Sequence, residues 1–570
     1  MSSALLAELK RRRVFRALVG YGIVAFAVLQ IVEPVMHGLH WPDVVVSYAV
    51  VALAVGFPVV VTLAWIFDVS EGRLERTAAA PGPRGARLAL ILAGIGALAA
   101  APGLLWYFVL RSDRNAPAQA RAPSIAVLPF VNLSNDKDNE FFSDGVTEEV
   151  INALANVEGV RVVARTSAFS YKGKSVNVRQ IGEELNVATV LEGSVRREGN
   201  RLRIAAQLVS AADGYHIWSK TFDRELKGVF ALEDELARAI VQSLRPKLVP
   251  ERPLVQPASV STEAHDLYLK GRYLWNQRTK GSLASASASF ERAIALDRGY
   301  ALAHSGLADC YTLMPDYSGA AAADTLPKAK AHALKAVELD DSLAEGHASL
   351  GALAQHEYDW DTAERELKRA IELRPGYATA HQWYAEILWM KGRFPEALAE
   401  AERARQLDPT SPIVNLVLAV THLYSRDYAR AIEQANRTLE LDPSFIPTRA
   451  YLVLAYLQTG QLAEATAILD QVPGVLQPLR ALVMAAKGDR AGAVRLLAEL
   501  EAHLAPGVQR TGLAAAHLAV GDKDRAYAWV ERAAADWDPL LPACVKHWPV
   551  WDPVRSEPRF RKLLQRMNLE

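Results

Sequence analysis

The sequence predicts a multidomain chain with three transmembrane helices, a small α/β domain and then an all-α solenoid of helical repeats. Three observations support this order: long apolar runs near the N-terminus, alternating strand and helix patterns after them, and a 34-residue period in the second half. The predicted parts are a basic cytoplasmic N-terminus (1–13), the transmembrane region (14–110), a linker (111–123), the α/β domain (124–250), a second linker (251–263), the repeats (264–540) and a C-terminal cap (541–570).

Three apolar stretches predict the transmembrane helices. They cover residues 14–39, 44–67 and 88–110, and each is long enough to cross a hydrocarbon core of about 30 Å. Basic residues precede the first stretch and separate the second from the third, which places the N-terminus in the cytoplasm by the positive-inside rule. Three crossings then predict a multi-pass protein of the bacterial inner membrane, in contact with the lipid bilayer, with periplasmic C-terminal domains. A cleaved signal peptide is the alternative for the first stretch, which is too long for one.

Glu33 lies inside the first stretch, next to Pro34. A charge left unpaired at the centre of a membrane costs at least about 2.5 kcal/mol, so an ionisable residue there is a candidate functional position. Glu33 falls late in the stretch, close to His37. This position favours an interfacial or helix-packing role and leaves a functional role as the alternative.

Strand and helix patterns alternate through the predicted α/β domain. A strand at 124–130 precedes a helix carrying Val146, Val150 and Leu154, with Asp144 or Thr147 as its N-cap. A second strand (159–164) and a second helix (178–185) follow. Strands at 189–196 and 201–209 flank a turn at 198–200, and a further strand (215–222) leads to a closing amphipathic helix over 232–248.

The 34-residue period predicts the solenoid. Pro375, Pro409 and Pro443 each end a near-copy of one phrase: Glu-Leu-Arg-Pro, Gln-Leu-Asp-Pro and Glu-Leu-Asp-Pro. Two helices of about four turns fit this length, and neither can bury its apolar face without the next unit. Small residues recur at position 8 (Gly351, Ala385, Ala419) and position 20 (Ala363, Ala397, Ala431), where paired helices cross. Position 15 is Gly392, Gly460, Gly488 or Gly521, which predicts a left-handed residue ending the first helix.

This pattern resembles the tetratricopeptide repeat. The α/β domain in turn resembles the TolB N-terminal-like (FlgO-like) domain of bacterial membrane and envelope proteins. Five segments carry that resemblance: 124–130, 142–149, 191–197, 203–209 and 217–223. It implies a sensory or scaffold module and transfers no catalytic residue. Related chains continue into tetratricopeptide repeats, and some begin with a class III adenylyl cyclase or a CadC-type winged-helix transcription domain.

The resemblance to tetratricopeptide repeats implies a partner-binding groove, because positions 2, 5, 9, 12 and 13 of each first helix line the concave side of such arrays. The wall predicted in this way is apolar and aromatic, which favours a protein or peptide partner with a hydrophobic or amphipathic segment. The alternative is that the wall packs against the chain's own cap or an adjoining protomer. The predicted wall consists of Trp389, Met390, Ile413, Leu416, Val420, Leu423 and Tyr424.

Catalytic and cofactor signatures are not met, so neither an enzymatic activity nor a cofactor is predicted. Lys172-Gly-Lys-Ser175 lacks the glycine that a phosphate-binding loop needs at position 168, which is alanine. The histidines and the two cysteines lack metal-site spacing. With 64 basic and 64 acidic residues, no nucleic-acid partner is expected. Two functions remain: a non-enzymatic inner-membrane scaffold or sensor that binds proteins through a periplasmic groove, or a membrane signalling regulator acting with a separate cyclase or transcription factor.

Overall fold

The computed structural model describes residues 123–569 with gaps at 137–138, 158, 226–228, 245–260, 278, 319, 504–509, 536–537 and 539–540. It also describes 67–70, 73–76 and a few single positions before them. Two compact units result, Met1–Arg121 and Ala122–Glu570. In the first unit, β1 (Phe67–Ser70) and β2 (Arg73–Arg76) pair antiparallel, with Asp68 opposite Glu75.

The structure corrects the predicted fold class and localisation. Among the described residues, no helix has both the length and the apolar character needed to cross a membrane. The three predicted transmembrane helices and the multi-pass inner-membrane location are therefore not supported. Apart from the single positions and Phe67, the three stretches and Glu33 lie outside the described residues. Phe67, assigned to the second stretch on hydropathy alone, instead begins a strand that continues into Asp68. The prediction counted apolar length, which does not reveal what surrounds the apolar residues.

The α/β domain is built on one mixed sheet. Its strands are β3 (Ser124–Val127), β4 (Val131–Asn132), β5 (Arg161–Val162), β6 (Thr189–Glu198), β7 (Arg201–Ser210) and β8 (His216–Glu225). The order is β5-β3-β6-β7-β8, with β4 also paired to β6. The pairs that involve β3 and β4 are parallel, whereas β6, β7 and β8 form an antiparallel meander through the predicted turn at 198–200.

Four helices accompany this sheet: α1 (Glu140–Ala155), α2 (Arg165–Phe169), α3 (Val178–Glu184) and α4 (Val229–Leu244). Apolar residues of α1 and α4 share one core with β3, β6, β7 and β8, while α3 helps to cover a smaller apolar cluster around Ala126 and Val190. Helix α1 begins before both predicted N-caps. Asp144 instead pairs with Lys172, and Thr147 accepts a hydrogen bond from the Phe130 amide at 3.0 Å. Helix α2 was not predicted.

Helices fill the described chain from residue 262 onward. They are α5 (Thr262–Asn276), α6 (Lys280–Leu296), α7 (Ala301–Ser318), α8 (Ala322–Leu339), α9 (Ala344–His356), α10 (Trp360–Leu373), α11 (Ala378–Met390), α12 (Phe394–Leu407), α13 (Pro412–Tyr424), α14 (Tyr428–Leu441), α15 (Ile446–Gln458), α16 (Leu462–Asp470), α17 (Gln477–Ala486), α18 (Arg490–Ala502), α19 (Arg510–Ala519), α20 (Lys523–Ala535), α21 (Leu541–His547) and α22 (Pro558–Arg566), with a 3₁₀ turn at Pro549–Val554.

The helix pairs follow the predicted register. Helices α9, α11 and α13 begin at Ala344, Ala378 and Pro412, the first residues of the three full units. Ala363 and Ala397 are fully buried, and a Cβ added to Gly351 would come within 2.6 Å of Leu367 Cγ, so the small residues do lie where helices cross.

The left-handed position at the end of each first helix is also confirmed. Gly392, Gly460, Gly488 and Gly521 have φ between 72° and 87°. Tyr358 and Arg426 occupy the same repeat position with φ of 59° and 65°. Residues other than glycine are strained in this left-handed conformation. The fold therefore imposes the left-handed conformation even where glycine is missing, at Tyr358 and Arg426.

Candidate partner-binding groove

The concave side of the repeats is occupied by two other parts of the same chain. Helix α1 of the α/β domain lies against the first repeat units. Residues 541–569, named here the C-terminal segment, lie against the later ones. The groove predicted as an open surface is therefore largely filled in this structure.

Helix α1 packs against α5. Gly145 lies so close to Leu269 that an added Cβ would approach its side chain to 2.8 Å. Glu148 accepts a hydrogen bond from Arg272 at 2.9 Å and pairs with Arg165 at 2.9 Å, while Arg272 also lies 3.7 Å from Asp309. These two arginines lower the pKa of Glu148 against the effect of burial, which would raise it. A charged network thus joins α1, α2 and the first repeats.

A second group of ionisable side chains lies at the same contact. Glu233 of α4 is fully buried, and neither carboxylate oxygen has a hydrogen-bond partner. His265 Nε2 lies 3.9 Å from Glu233 Oε1, and its Nδ1 lies 3.1 Å from the Tyr300 hydroxyl. Burial, and then the charge of Glu233, raises the pKa of Glu149 to about 8. No group of His, Cys, Asp and Glu in the described residues is arranged to hold a metal ion.

Residues at the C-terminal ends of repeat helices bind the α/β domain. Arg374 pairs with Glu345 at 2.7 Å and donates to Asn156 Oδ1 at 3.1 Å. The amide of Ala164 donates to the carbonyl of Leu407 at 2.7 Å. The α/β domain and the repeats therefore share polar contacts at residues far apart in sequence.

The predicted wall residues are brought together, and all but one are buried. Trp389 and Tyr424 meet edge to face with ring centroids 5.4 Å apart. Ile413 remains 42% exposed and lies at the rim. The buried members, each at most 7% exposed, are Trp389, Met390, Leu416, Val420, Leu423 and Tyr424.

The C-terminal segment covers the ends of the wall helices. His547 Nε2 donates to the Trp389 carbonyl at 2.8 Å, and its ring stacks on Tyr424 with centroids 5.0 Å apart. Burial lowers the pKa of His547 to about 4, which keeps the imidazole neutral at pH 7. Only a crevice of about 40 Å³ remains here. It is lined by Leu423, Tyr424, Tyr428, Leu454, Leu457, Gln458, Leu482, His547, Trp548, Pro549 and Val550.

The far end of the segment reaches the first of the three full units, helices α9 and α10. Trp360 Nε1 donates to the Met567 carbonyl at 2.7 Å, and Asn568 Nδ2 donates to the Tyr358 carbonyl at 3.1 Å. Within the segment, Trp551 is fully buried against Phe560, with ring centroids 5.8 Å apart. The segment thus runs from the last repeats back to the turn between α9 and α10.

Sequence reasoning missed several residues of this site. His547 and Trp548 were placed in the predicted terminal cap, but their contacts with the wall were not predicted individually. Tyr451 and Leu454 of the following helix extend the wall. Glu386, at position 9 of its unit, also escaped notice. Burial raises the pKa of Glu386 to about 7, against a hydrogen bond from Gln382.

Family comparisons match two parts of the chain. Residues 120–240 match the HilA/YgeH-like transcriptional regulator family, second domain. Residues 354–420 and 422–482 match the tetratricopeptide repeat. The helical repeats are therefore tetratricopeptide repeats, whereas the resemblance of the α/β domain to the TolB N-terminal-like domain and the membrane anchoring are not shown.

Curated relatives have regulatory names. The chain is 40% identical over 237 residues to "Putative adenylate cyclase 3" of Rhizobium meliloti, covering 41% of this chain and 40% of the relative. It is 22% identical over 295 residues to "Transcriptional regulator HilA" of Salmonella typhimurium, covering 51% of this chain and 52% of the relative. The chain thus spans two fifths to about half of these relatives.

Solved structures of helical repeat proteins are also similar. The crystal structure of a thermophilic tetratricopeptide repeat protein from Thermus thermophilus matches with 20% identity and a TM-score of 0.30 over 34% of this chain and 99% of that chain. The expectation of no enzymatic activity stays a prediction, because the Rhizobium meliloti relative is named as a cyclase. The expectation of no nucleic-acid partner also stays a prediction, because only the balance of charges supports it.

Proposed function

We propose that this chain is a regulatory scaffold whose tetratricopeptide groove binds a protein partner through an apolar or amphipathic segment of that partner. The observation that carries the proposal is the wall around Trp389, Leu423 and Tyr424. It is apolar and aromatic, and it already holds an amphipathic segment, the chain's own residues 541–569. Helical repeat arrays use such concave faces for peptides.

The composition of the groove favours an apolar ligand over a charged peptide end. A terminal carboxylate needs converging cationic or amide donors. Position 5 of four successive units supplies no repeated cationic or amide donor. The residues at this position are Ala348, Gln382, Leu416 and Ala450. The apolar and aromatic side chains at positions 12 and 13 would instead take up the apolar face of a helix.

Site-specific crosslinking tests this proposal. Ile413 is exposed at the rim of the groove and accepts a photoreactive side chain without disturbing the buried wall. Val494 on α18 is 48% exposed and serves as the matched control. A crosslinker at position 413 should capture discrete proteins from the source cell that one at position 494 does not. Identical products at both positions would contradict groove binding.

A second function is favoured by the relatives: regulation together with a separate cyclase or transcription factor. The matching α/β family is one of transcriptional regulators, and a relative is named as a cyclase. Deletion of the gene should then change cellular cyclic AMP or a defined set of transcripts, and the wild-type chain should restore them. The Ile413→Asp variant should restore them less well if the groove takes part. Unchanged cyclic AMP and transcripts in the deletion strain would remove this alternative.

A further inference from the structure

The C-terminal segment occupies the same surface that the proposed function assigns to a partner. Its imidazole at His547 fills the place beside Tyr424 and donates a hydrogen bond to the Trp389 carbonyl, which also accepts one from the Gly392 amide at 2.8 Å. The remaining crevice of about 40 Å³ has room for little more than a water molecule. A partner cannot enter this part of the groove while the segment is in place.

The contact between segment and wall is closely packed but incompletely hydrogen-bonded. Trp389 Nε1 in the wall and Trp551 Nε1 in the segment are both buried, and neither has a hydrogen-bond partner. A buried donor without an acceptor weakens a contact, since that donor would bind water in the separated state. The segment therefore leaves one donor of the wall, Trp389 Nε1, that another ligand could satisfy.

Separate polar anchors hold the middle and the C-terminal end of the segment. In the middle, Lys523 and Tyr527 of α20 bind Glu557, and Arg559 pairs with Glu531. At the C-terminal end, the Met567 carbonyl and the Asn568 side chain contact the turn between α9 and α10. The contact with α20 can persist when the contact with the wall is lost, because the two involve different residues.

We propose that the C-terminal segment is a displaceable occupant of the repeat groove, and that a protein partner with an aromatic, amphipathic segment binds by taking its place. The inference rests on the proposed function. A tethered ligand acts at an effective concentration on the order of millimolar, so the free chain keeps its groove closed against weak competitors. Such a partner needs an aromatic side chain for the place beside Tyr424, and a donor on it would replace the hydrogen bond from His547 to the Trp389 carbonyl.

A labelled peptide of residues 541–569, added to the full-length chain, tests the inference by fluorescence anisotropy. His547→Ala removes the stacking and the hydrogen bond at the wall. This variant should bind the peptide at least about tenfold more tightly than the wild type, because its own segment competes less well. Lys562→Ala is the matched control. Lys562 lies in the same segment with its side chain exposed on α22, so this variant should stay as closed as the wild type.

Asn568→Gly provides a second opening variant should His547→Ala lose helicity. Asn568 has φ of 51°, which glycine adopts freely, so only the bond to the Tyr358 carbonyl is lost. If the folded variants bind no more peptide than the wild type, the segment is a fixed part of the fold and the inference is wrong. Discrete crosslinks from position 413 in that case would still uphold the proposed function. Peptide binding without such crosslinks would uphold a displaceable segment and contradict the protein partner.

Discussion

Ser167 donates two hydrogen bonds to Asp408, a residue 241 positions later in the chain. The Ser167 amide lies 2.9 Å and its hydroxyl 2.5 Å from the same carboxylate oxygen, Oδ1. Asp408 is 5% exposed, and burial raises its pKa despite the hydrogen bonds from Ser167. Asp442 stands at the same repeat position one unit later, yet it binds only the nearby Ser444. The same repeat position thus binds the α/β domain in the unit of Asp408 and forms a local turn in the unit of Asp442.

Asp408→Ala should therefore destabilise the chain far more than Asp442→Ala. The first change leaves the buried donors of Ser167 without an acceptor, which costs about 1–3 kcal/mol. The second affects a half-exposed local turn and should cost about 0.5 kcal/mol or less. Urea unfolding measures both, and hydrogen exchange at α2 reports on docking. Equal losses in the two variants would show that the contact with Ser167 contributes nothing.

Gly145 provides a test of the seat of α1 in the first repeats. An added Cβ would meet the Leu269 side chain at 2.8 Å, so Gly145→Ala should push α1 away and cost about 1–3 kcal/mol. Gly281 also lies in a helix but has open space around its Cα. Gly281→Ala should be neutral or stabilise by up to about 1 kcal/mol through helix propensity. Thermal unfolding measures the stability of the two variants. If Gly145→Ala is as stable as the wild type, α1 does not pack closely against Leu269.

The contact between α1, α4 and α5 should weaken as pH rises. Burial and Glu233 raise the pKa of Glu149 to about 8, from about 4.3 in an unfolded chain. Burial would lower the pKa of His265, but Glu233 and Glu149 outweigh it and raise that pKa. A raised folded pKa gives stability that is complete below the unfolded pKa and is lost as pH rises through the folded one. Urea unfolding should show a loss of up to about 1.4 kcal/mol per pH unit for one proton between about pH 4.3 and 8.

Glu149→Gln is the control for this pH dependence. The amide has nearly the same shape and does not titrate, so the variant should lose most of the slope that the wild type shows between those pH values. Groups that do not interact with Glu149 titrate identically in both proteins and cancel in the comparison, whereas His265 loses in the variant the part of its raised pKa that the Glu149 charge supplies. Parallel stability curves for wild type and variant would contradict the assignment to Glu149.

The repeats were readable from sequence because their determinants are local and periodic. Helix starts at Ala344, Ala378 and Pro412, and the left-handed glycines at position 15, follow from residues within one unit. Most strands of the α/β domain were found by the same local patterns.

The sequence left open what fills the groove, with the chain's own cap as one alternative, and the contacts themselves could not be read in this way. The contacts Trp389 to His547 and Glu148 to Arg272 join residues 158 and 124 positions apart, and no period links them. An apolar wall shows only that something covers it. The transmembrane prediction was wrong for a related reason. It used the length of apolar stretches, and hydropathy along the chain does not distinguish a lipid environment from a protein one.

Position 4 of the repeat shows one more regularity. In three successive units its side chain contacts the carbonyl six residues before it and a side chain nineteen residues after it. His381 Nε2 lies 3.1 Å from the Pro375 carbonyl, and its Nδ1 lies 2.6 Å from Glu400 Oε2. His347 does the same with Asp341 and Glu366, and Asn415 with Pro409 and Gln434. This side chain ties each loop to both helices of its unit.

Asparagine at position 415 predicts which substitutions His381 tolerates. His381→Asn keeps a donor for the Pro375 carbonyl and should cost less than about 1 kcal/mol, whereas His381→Ala loses both contacts and should cost about 2–3 kcal/mol. His381→Leu separates hydrogen bonding from packing, because it fills the volume without a donor. Urea unfolding ranks the three variants. If the leucine variant is as stable as the asparagine variant, the site requires only side-chain volume, and the hydrogen bond to the Pro375 carbonyl does not contribute to stability.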